Sequence, residues 1–298
     1  MIRLITFCFI TLGILCFSYI VPDKINKSGY HLNTPDARYI LPDSLNEISG
    51  IAIIDETHLA CIQDEQGIIF IYDPSLVKIK YQYPFNLDGD YEGICLADET
   101  IYILRSDGVL IEMKNYTSDH AGFTIYQTGI PATNNEGLCY DKANKRLLIA
   151  CKSSINKEEK EYKDKRMVYA FDLQTKTLSK KPVFVFDVDD IKQFANDLNL
   201  DLPEHEIKKG DEKKVILKFR PSAIGIHPTT KNMYILSAVD HLLFIFNPNG
   251  KLTDIQQLDK KLFNKAEGIA FYENGDMLIT NEAQDKHPTL LYFKYHPE

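Results

Sequence analysis

A short phrase in which glycine precedes aliphatic residues recurs at a nearly constant spacing along this chain. Its glycines are Gly50, Gly93, Gly137, Gly225 and Gly268, at intervals of 43 or 44 residues except for a doubled interval before the fourth. In three copies a glutamate stands directly before the glycine. Self-similarity at such a period is typical of repeat architectures, in which each unit buries its apolar face against its neighbours. The chain is therefore predicted to be a repeat fold.

Each unit has room for four short strands. The glycine opens an apolar strand, a turn such as "DETH" or "ENGD" follows, and two further strands precede a fourth, less regular one. Four strands per 43 to 44 residues, separated by turn residues, is the pattern of β-propeller blades. A β-sandwich with accidental internal similarity is the alternative. The regular period favours an all-β, five-bladed β-propeller.

The two ends of the repeat region are expected to close the ring together. The last unit stops after its third strand, near Tyr295, and a strand-like piece at 37–42 precedes the first unit. If that piece completes the last blade, no edge strand is left exposed at the junction. A degenerate sixth blade within 182–219 is the alternative that this count leaves open.

The residues before the repeated glycines are expected to meet at one mouth of the central channel, because first strands line the channel of a propeller. In chain order they are Ser49, Glu92, Glu136, Ile224 and Glu267. Glu47 and Ser222 lie two residues earlier in their units and face the same way, since side chains alternate along a strand. Carboxylates that converge in this way hold a cation, pair with bases or shift their pKa values.

A series of motifs suggests a family. In order they are "LNEISGIA", "QDEQGIIFIYD", "DYEGI", "NNEGL", "RPSAIGIHPTTKNMYILSAVDHLLFIFNPNG" and "AEGIAF…LITNE". Over about residues 38–295 the chain thereby resembles the SdiA-regulated family of exported bacterial β-propeller proteins. The resemblance implies a five-bladed propeller, distantly similar to NHL-repeat propellers, with a calcium site at the channel. It implies no settled biochemical activity.

Carboxylates near the expected mouth are the candidate metal ligands. Ca²⁺ binds about six to eight hard oxygen ligands in flexible geometry. The first candidates are Glu92, Glu136 and Glu267, and the next are Glu47, Asp64 and Glu282. The alternative is a purely structural cluster, in which these carboxylates bond backbone amides and pair with Arg105 and Lys152.

Basic and imidazole side chains complete the candidate site. Arg105 and Lys152 either neutralise the acidic residues or bind an anionic group of a ligand. His241 is a weak candidate for a catalytic base, with Asp240 as its orienting group. His227 lies in a turn and is expected to be structural. The sequence has no GxSxG, HExxH or P-loop motif.

The N-terminal segment is separate from the repeats. Residues 4–21 form an apolar run after Arg3, long enough for a signal peptide or a membrane anchor. A lipoprotein modified at Cys16 is the less favoured alternative. The expected organisation is a signal peptide or anchor at 1–22, a linker at 23–36 and the propeller at 37–298. Arg3 predicts that the remaining chain is exported, either periplasmic or membrane-anchored and facing outside the cytoplasm.

Charge and cysteine content exclude some functions. The net charge of −8 argues against nucleic acid as a partner, since no basic stripe would offset the phosphate backbone. Four cysteines, Cys61, Cys95, Cys139 and Cys151, lie in strand-like runs without CxxC spacing. This spacing argues against zinc, and the apolar context favours buried thiols over disulfides.

Extra sequence separates the third and fourth units. Residues 153–166 are rich in charge and are expected to form a solvated loop. In the insertion at about 187–212, apolar residues at helical spacing predict a short helix with Asp189 or Asp190 as N-cap; they are Ile191, Phe194, Ala195 and Leu198. This helix is expected to pack on the propeller edge, and a lid over the mouth is the alternative.

Together these features predict a calcium-binding β-propeller of the cell envelope that acts as a binding or scaffolding module. Its expected partners are the membrane, through the N-terminal segment, and a protein or small anionic ligand at the channel mouth. A calcium-dependent hydrolase of phosphoesters or lactones is the alternative. A metal with one coordination position open to water would favour the hydrolase.

Overall fold

The computed structural model describes residues 28–117, 121–153, 155, 162, 164–203, 205–209 and 212–297. The first strand in chain order, β1 (Ala37–Ile40), belongs to the last blade. Blade one consists of β2 (Ile48–Ile53), β3 (Leu59–Gln63), β4 (Ile68–Asp73) and β5 (Lys78–Pro84). Blade two consists of β6 (Tyr91–Ala97), β7 (Thr100–Arg105), β8 (Val109–Lys114) and β9 (Gly122–Gln127).

The third blade and the insertion follow. Blade three consists of β10 (Asn135–Asp141), β11 (Arg146–Cys151), β12 (Lys165–Asp172) and β13 (Thr177–Leu178), and β14 (Phe184–Asp187) also pairs with β12. The insertion contains α1 (Val188–Asp197) and a hairpin of β15 (His205–Lys209) and β16 (Glu212–Ile216). Blade four consists of β17 (Ala223–Ile226), β18 (Met233–Ser237), β19 (Leu242–Phe246) and β20 (Leu252–Gln257). Blade five consists of β21 (Ala266–Phe271), β22 (Met277–Asn281), β23 (Thr289–Phe293) and β1.

The ring closes as the sequence predicts. β1 pairs antiparallel with β23, from Ala37 opposite Tyr292 to Ile40 opposite Thr289. The first strands contact one another in the closed order β2, β6, β10, β17, β21 and back to β2. In the described part of 182–219, β14 joins blade three and β15 pairs with β16, so this stretch forms no sixth blade. The five-bladed prediction is confirmed.

Repeated glycines allow the first strands to converge at the axis. A Cβ atom at Gly93 would lie 2.8 Å from Cβ of Leu138 on the next blade. A Cβ atom at Gly137 would lie 2.8 Å from Cγ2 of Ile224 on the blade after that. Any side chain there would push neighbouring first strands apart, which explains why the repeat contains glycine at these positions.

Apolar clusters fill the spaces between adjacent blades. Between blades three and four, for example, the rings of Phe186 and Phe246 have centroids 4.1 Å apart, beside the fully buried Phe219 and Phe244. Each blade therefore buries its two faces against two neighbours, and none has a core of its own. The four predicted cysteines, Cys61, Cys95, Cys139 and Cys151, are free and buried in this core, as expected.

The inserted helix lies on the edge of the propeller. Asp187 is its N-cap, because its carboxylate accepts a bond from the backbone N–H of Asp189 at 2.9 Å. The prediction of Asp189 or Asp190 as the cap was wrong by two or three residues. Val188, Ile191 and Ala195 are buried, and the helix contacts β14 and β20, the outer strands of blades three and four. The helix α1 therefore packs on the propeller edge, as expected, and does not form a lid over the mouth.

Part of the predicted linker is packed against the propeller. Tyr30 is fully buried and its hydroxyl donates to the Gly275 carbonyl, while the hydroxyl of Tyr234 donates to the Ser28 carbonyl at 3.1 Å. Ser28 and Tyr30 therefore pack against blades four and five. The segment 1–22 lies outside the described residues. Among the described residues, no helix has the length and apolarity needed to cross a membrane.

Candidate functional site

The channel has two chemically different ends. We call the end where first strands begin and second strands finish the acid mouth, since the six predicted metal ligands lie there. We call the opposite end, where turns join first strands to second strands, the turn end. A cavity of about 1120 Å³ opens at the turn end, walled by Ile51, Ile94, Leu138 and Ile269 of the first strands. None of the six predicted ligands lines this cavity.

Bulges aim the repeated glutamates into the acid mouth. In four of the five blades, the register between the first and second strands skips the residue that precedes the glycine. The skipped residues are Ser49, Glu92, Glu136 and Glu267. A bulged residue leaves the regular alternation, so its side chain is redirected. The glutamate–glycine phrase is therefore the sequence signature of a bulge at the channel.

The fourth unit departs from the prediction. β17 carries no such bulge, and Ser222 there does what Ser49 does in blade one. The Ser222 hydroxyl donates to the Ala266 carbonyl at 2.8 Å, and the Ser49 hydroxyl donates to the Tyr91 carbonyl at 2.6 Å. In each case the acceptor is the residue that directly precedes the bulge glutamate of the following blade. The prediction that Ile224 occupies this position was wrong by two residues, because it counted from the glycine alone.

Glu92, Glu136 and Glu267 form what we call the channel triad, with Lys152 among them. The ammonium of Lys152 pairs with Glu136, whose side chain is only 3% exposed. Burial opposes the charge on Lys152, but the carboxylates of Glu136 and Glu267 outweigh burial and raise its pKa. Lys152 therefore stays charged, and the predicted structural pairing of this residue is present.

The channel triad holds protons at neutral pH. Burial, with repulsion from Glu136, raises the pKa of Glu92 to about 9 and that of Glu267 to about 8. Burial also raises the pKa of Glu136, although Lys152 opposes this shift. With Glu92 and Glu267 protonated, Glu136 and Lys152 balance each other. The triad is then close to neutral.

Glu47, Asp64 and Glu282 form a second group, which we call the rim triad. One carboxylate oxygen from each lies within 4.8 Å of the others. Glu47 precedes β2, Asp64 follows β3 and Glu282 follows β22, so contact between β2 and blade five brings them together. Oxygens bound to one Ca²⁺ lie at most about 5 Å apart, given bonds of about 2.3–2.6 Å. The spacing of the rim triad is compatible with this limit.

Lys265 joins the two triads, and the sequence analysis missed it. Its ammonium lies 2.5 Å from a Glu282 oxygen and 3.7 Å from a Glu267 oxygen. Burial raises the pKa of Glu282 while Lys265 opposes the shift, and burial with repulsion from Glu47 raises the pKa of Asp64. Lys265 stands two residues before Glu267, so the alternation that placed Glu47 at the mouth would have placed Lys265 there too.

Two further candidates have close partners. Arg105 forms two bonds with Asp107, at 2.5 and 3.1 Å, so its guanidinium is engaged within its own turn. The Nδ1 atom of His241 lies 2.9 Å from the Phe263 carbonyl oxygen.

Asp240, the predicted orienting group of His241, has bonds of its own. Its carboxylate accepts from the Ser237 hydroxyl at 2.6 Å and from the Lys218 N–H at 3.2 Å. The Phe263 carbonyl is thus a contact that positions the His241 ring. His227 is fully buried and accepts two backbone N–H bonds, as expected of a structural residue.

Comparison with a solved glutaminyl cyclase structure supports the fold. The chain is similar to glutaminyl cyclase of Myxococcus xanthus, with a TM-score of 0.57 at 12% identity, over 88% of this chain and 96% of that one. It is also similar to a streptogramin B lyase structure, with a TM-score of 0.44 at 15% identity, over 83% of this chain and 66% of that one. A nidogen/laminin complex matches with a TM-score of 0.44 at 14% identity, over 84% of this chain and 80% of that one.

The likeness to the glutaminyl cyclase concerns the β-propeller fold, not an activity. No protein-family model and no curated protein sequence matches the chain. The resemblance to the SdiA-regulated family therefore stays a prediction.

Proposed function

We propose that this propeller is a binding module of the cell envelope whose acid mouth holds Ca²⁺ at the rim triad. The observation that carries the proposal is the convergence of Glu47, Asp64 and Glu282 within 4.8 Å. Carboxylate oxygens are the hard ligands that Ca²⁺ prefers. Glu47 is exposed and Asp64 is half-buried, so an ion could reach them from solvent.

The rim triad suits a cation better than the channel triad does. At the channel triad a cation would have to displace the protons of Glu92 and Glu267 and the ammonium that pairs with Glu136. At the rim triad, Lys265 faces Glu282 from one side. The proposal therefore places the rim triad first as the Ca²⁺ ligands, whereas the sequence analysis placed the channel triad first.

The partner of the module is proposed to be a protein or small molecule with an anionic group. A bound Ca²⁺ with three carboxylate ligands needs about three to five more oxygens to complete its shell. An anionic group of a partner at the mouth would supply some of them. Export, and anchoring at the membrane through residues 1–22, complete the proposal.

Titration calorimetry with Ca²⁺ tests the site. The variant Glu47→Gln/Asp64→Asn/Glu282→Gln should lose measurable binding, because three charged ligands become neutral. The matched control Glu92→Gln/Glu267→Gln mimics the protonated channel triad and should bind like the parent chain. No binding by the parent chain, or loss only in the control, would refute the assignment to the rim.

One observation favours the hydrolase as a second candidate. Donation from Nδ1 of His241 to the Phe263 carbonyl leaves Nε2 as the nitrogen that can accept a proton. A Ca²⁺-dependent turnover of p-nitrophenyl phosphate or of a simple lactone, lost in His241→Gln with Ca²⁺ affinity unchanged, would support this alternative. Binding of Ca²⁺ without any such turnover leaves the binding module as the function.

A further inference from the structure

The chain that follows the apolar segment is fastened to one end of the propeller. Tyr30 bonds the Gly275 carbonyl in the turn between β21 and β22, and the N–H of His296 donates to the Gly29 carbonyl at 2.9 Å. Asp36 accepts from the Lys294 N–H at 2.8 Å, just before β1 begins. All of these contacts lie at the turn end of blades four and five. The segment from Ser28 to Asp36 is therefore a fixed exit point, not a free linker.

Little chain separates this exit point from the apolar run. Residues 4–21 are apolar, and only residues 22–27 lie between them and Ser28. Six residues span at most about 20 Å even when fully extended. A membrane that holds residues 4–21 must then lie close to the turn end.

We propose that the turn end of the propeller faces the membrane and that the acid mouth faces away from it. The proposal rests on the membrane-anchored part of the proposed function and is independent of calcium. First strands of six or seven residues separate the two ends by about 20 Å, at about 3.3 Å per residue. A tether of about the same length, attached at the turn end, holds that end closer to the membrane than the acid mouth. The acid mouth is thereby left open to partners in the surrounding compartment.

Charge at the two ends agrees with this orientation. Exposed lysines lie at the turn end of blades four and five, namely Lys231, Lys251 and Lys294, beside carboxylates such as Glu273. The acid mouth presents the rim carboxylates of Glu47 and Asp64 to solvent. Anionic lipid attracts lysines near its surface and repels carboxylates. The turn end is thus the end that a bilayer containing anionic lipid would favour.

Fluorescence quenching in vesicles tests the orientation. The full chain, with Cys8 and Cys16 replaced by alanine, would be reconstituted into phosphatidylcholine/phosphatidylglycerol vesicles that contain a lipid with a nitroxide headgroup. A bimane label would be attached to Lys231→Cys at the turn end or to Lys260→Cys at the acid end of the same blade. Both positions are exposed lysines, so the pair is matched in charge and blade. Severalfold stronger quenching at position 231 is expected.

The possible failures are distinguishable. Absence of the chain from sedimented vesicles would refute the tether and with it the orientation. Association with equal quenching at the two positions, or stronger quenching at 260, would refute the orientation alone.

A flexible spacer tests whether the short tether sets the orientation. A Gly/Ser insertion of about 20 residues before Ser28 adds a mean reach of roughly 25 Å. It should remove most of the difference between the labels without changing the fold. An undiminished difference would show that the tether does not orient the propeller.

Discussion

The channel triad and the rim triad consist of the same residue types at one mouth, yet they differ in what keeps them there. The channel carboxylates sit on bulges, where Glu136 and Glu267 are buried and Glu92 is half-buried, and they are balanced by protons and by Lys152. The rim carboxylates lie just outside strand ends, where Glu47 is exposed, Asp64 half-buried and Glu282 buried. Burial of the channel carboxylates requires that protons or Lys152 neutralise them, since an unpaired buried charge is costly. Access to solvent leaves the rim able to exchange ions.

Removing the ammonium from the channel triad should have the largest effect. Lys152→Met leaves the Glu136 carboxylate, which is 3% exposed, without its partner. Breaking a buried pair in this way costs about 3–5 kcal/mol, and protonation of Glu136 should hold the loss of unfolding free energy near the lower figure. Urea denaturation at pH 8 measures this loss. A loss no larger than that of Lys265→Met would contradict the distinction between the triads.

Alkaline pH should destabilise the channel triad. In the unfolded chain glutamate ionises near pH 4.3, whereas folded Glu92 and Glu267 keep protons to about pH 9 and 8. The folded state thus binds more protons through this window, and stability falls as pH rises from about 5 to 9. Each glutamate that keeps its proton only in the folded chain contributes about 1.4 kcal/mol per pH unit, so the slope is up to about 2.7 kcal/mol per pH unit while both are protonated. Unfolding followed at several pH values should give a flatter profile for Glu92→Gln/Glu267→Gln, and an unchanged slope would refute the assignment.

Removing the ammonium from the rim should strengthen cation binding. Lys265 lies 2.5 Å from Glu282, so it competes with a cation for that carboxylate. Lys265→Met is expected to raise Ca²⁺ affinity about tenfold, which corresponds to about 1.4 kcal/mol. Calorimetry on Lys152→Met, which alters the other triad, supplies the comparison. Equal gains in the two variants would argue that the mouth acts as one site.

The smallest effect is expected from the hydroxyls that replace glutamates in the ring. Ser49→Ala and Ser222→Ala each remove one bond to the next blade, at 2.6 and 2.8 Å. A hydrogen bond of this kind contributes about 1 kcal/mol to stability, so both losses should be close to that value. Thermal unfolding compares them. A negligible effect of Ser222→Ala beside a full effect of Ser49→Ala would contradict their equivalence.

Local signals predicted much of the fold. The period, the turn residues and the piece before the first unit were sufficient for five blades and for their closure by β1. The helix α1 was also predicted from its apolar spacing. The cap was missed because Asp187, Asp189 and Asp190 are all acceptable caps, and the chain path that selects Asp187 depends on the pairing of β14 with β12.

The candidate site was predicted less completely. In blade one, Gly50 pairs with the penultimate residue of the second strand, and in blade four the residue that does so is Ala223. The equivalent of Gly50 is therefore Ala223, so counting from Gly225 shifted the fourth unit by two residues. The glutamate–glycine phrase marks three of the four bulges, but the bulge at Ser49 and the absence of one before Gly225 carry no such mark. Lys265 was overlooked although alternation pointed to it.

The sequence by itself determined that the chain repeats, that its units are blades and that carboxylates gather at one mouth, since these follow from spacing and strand alternation. Only the tertiary structure decided which of those carboxylates form the channel triad and which form the rim triad. Glu47 and Glu282 are far apart in the chain, and they meet because the last blade closes against the first. Which carboxylate faces Lys152 and which remains near solvent depends on that closure and on the bulges, and neither depends on local sequence alone.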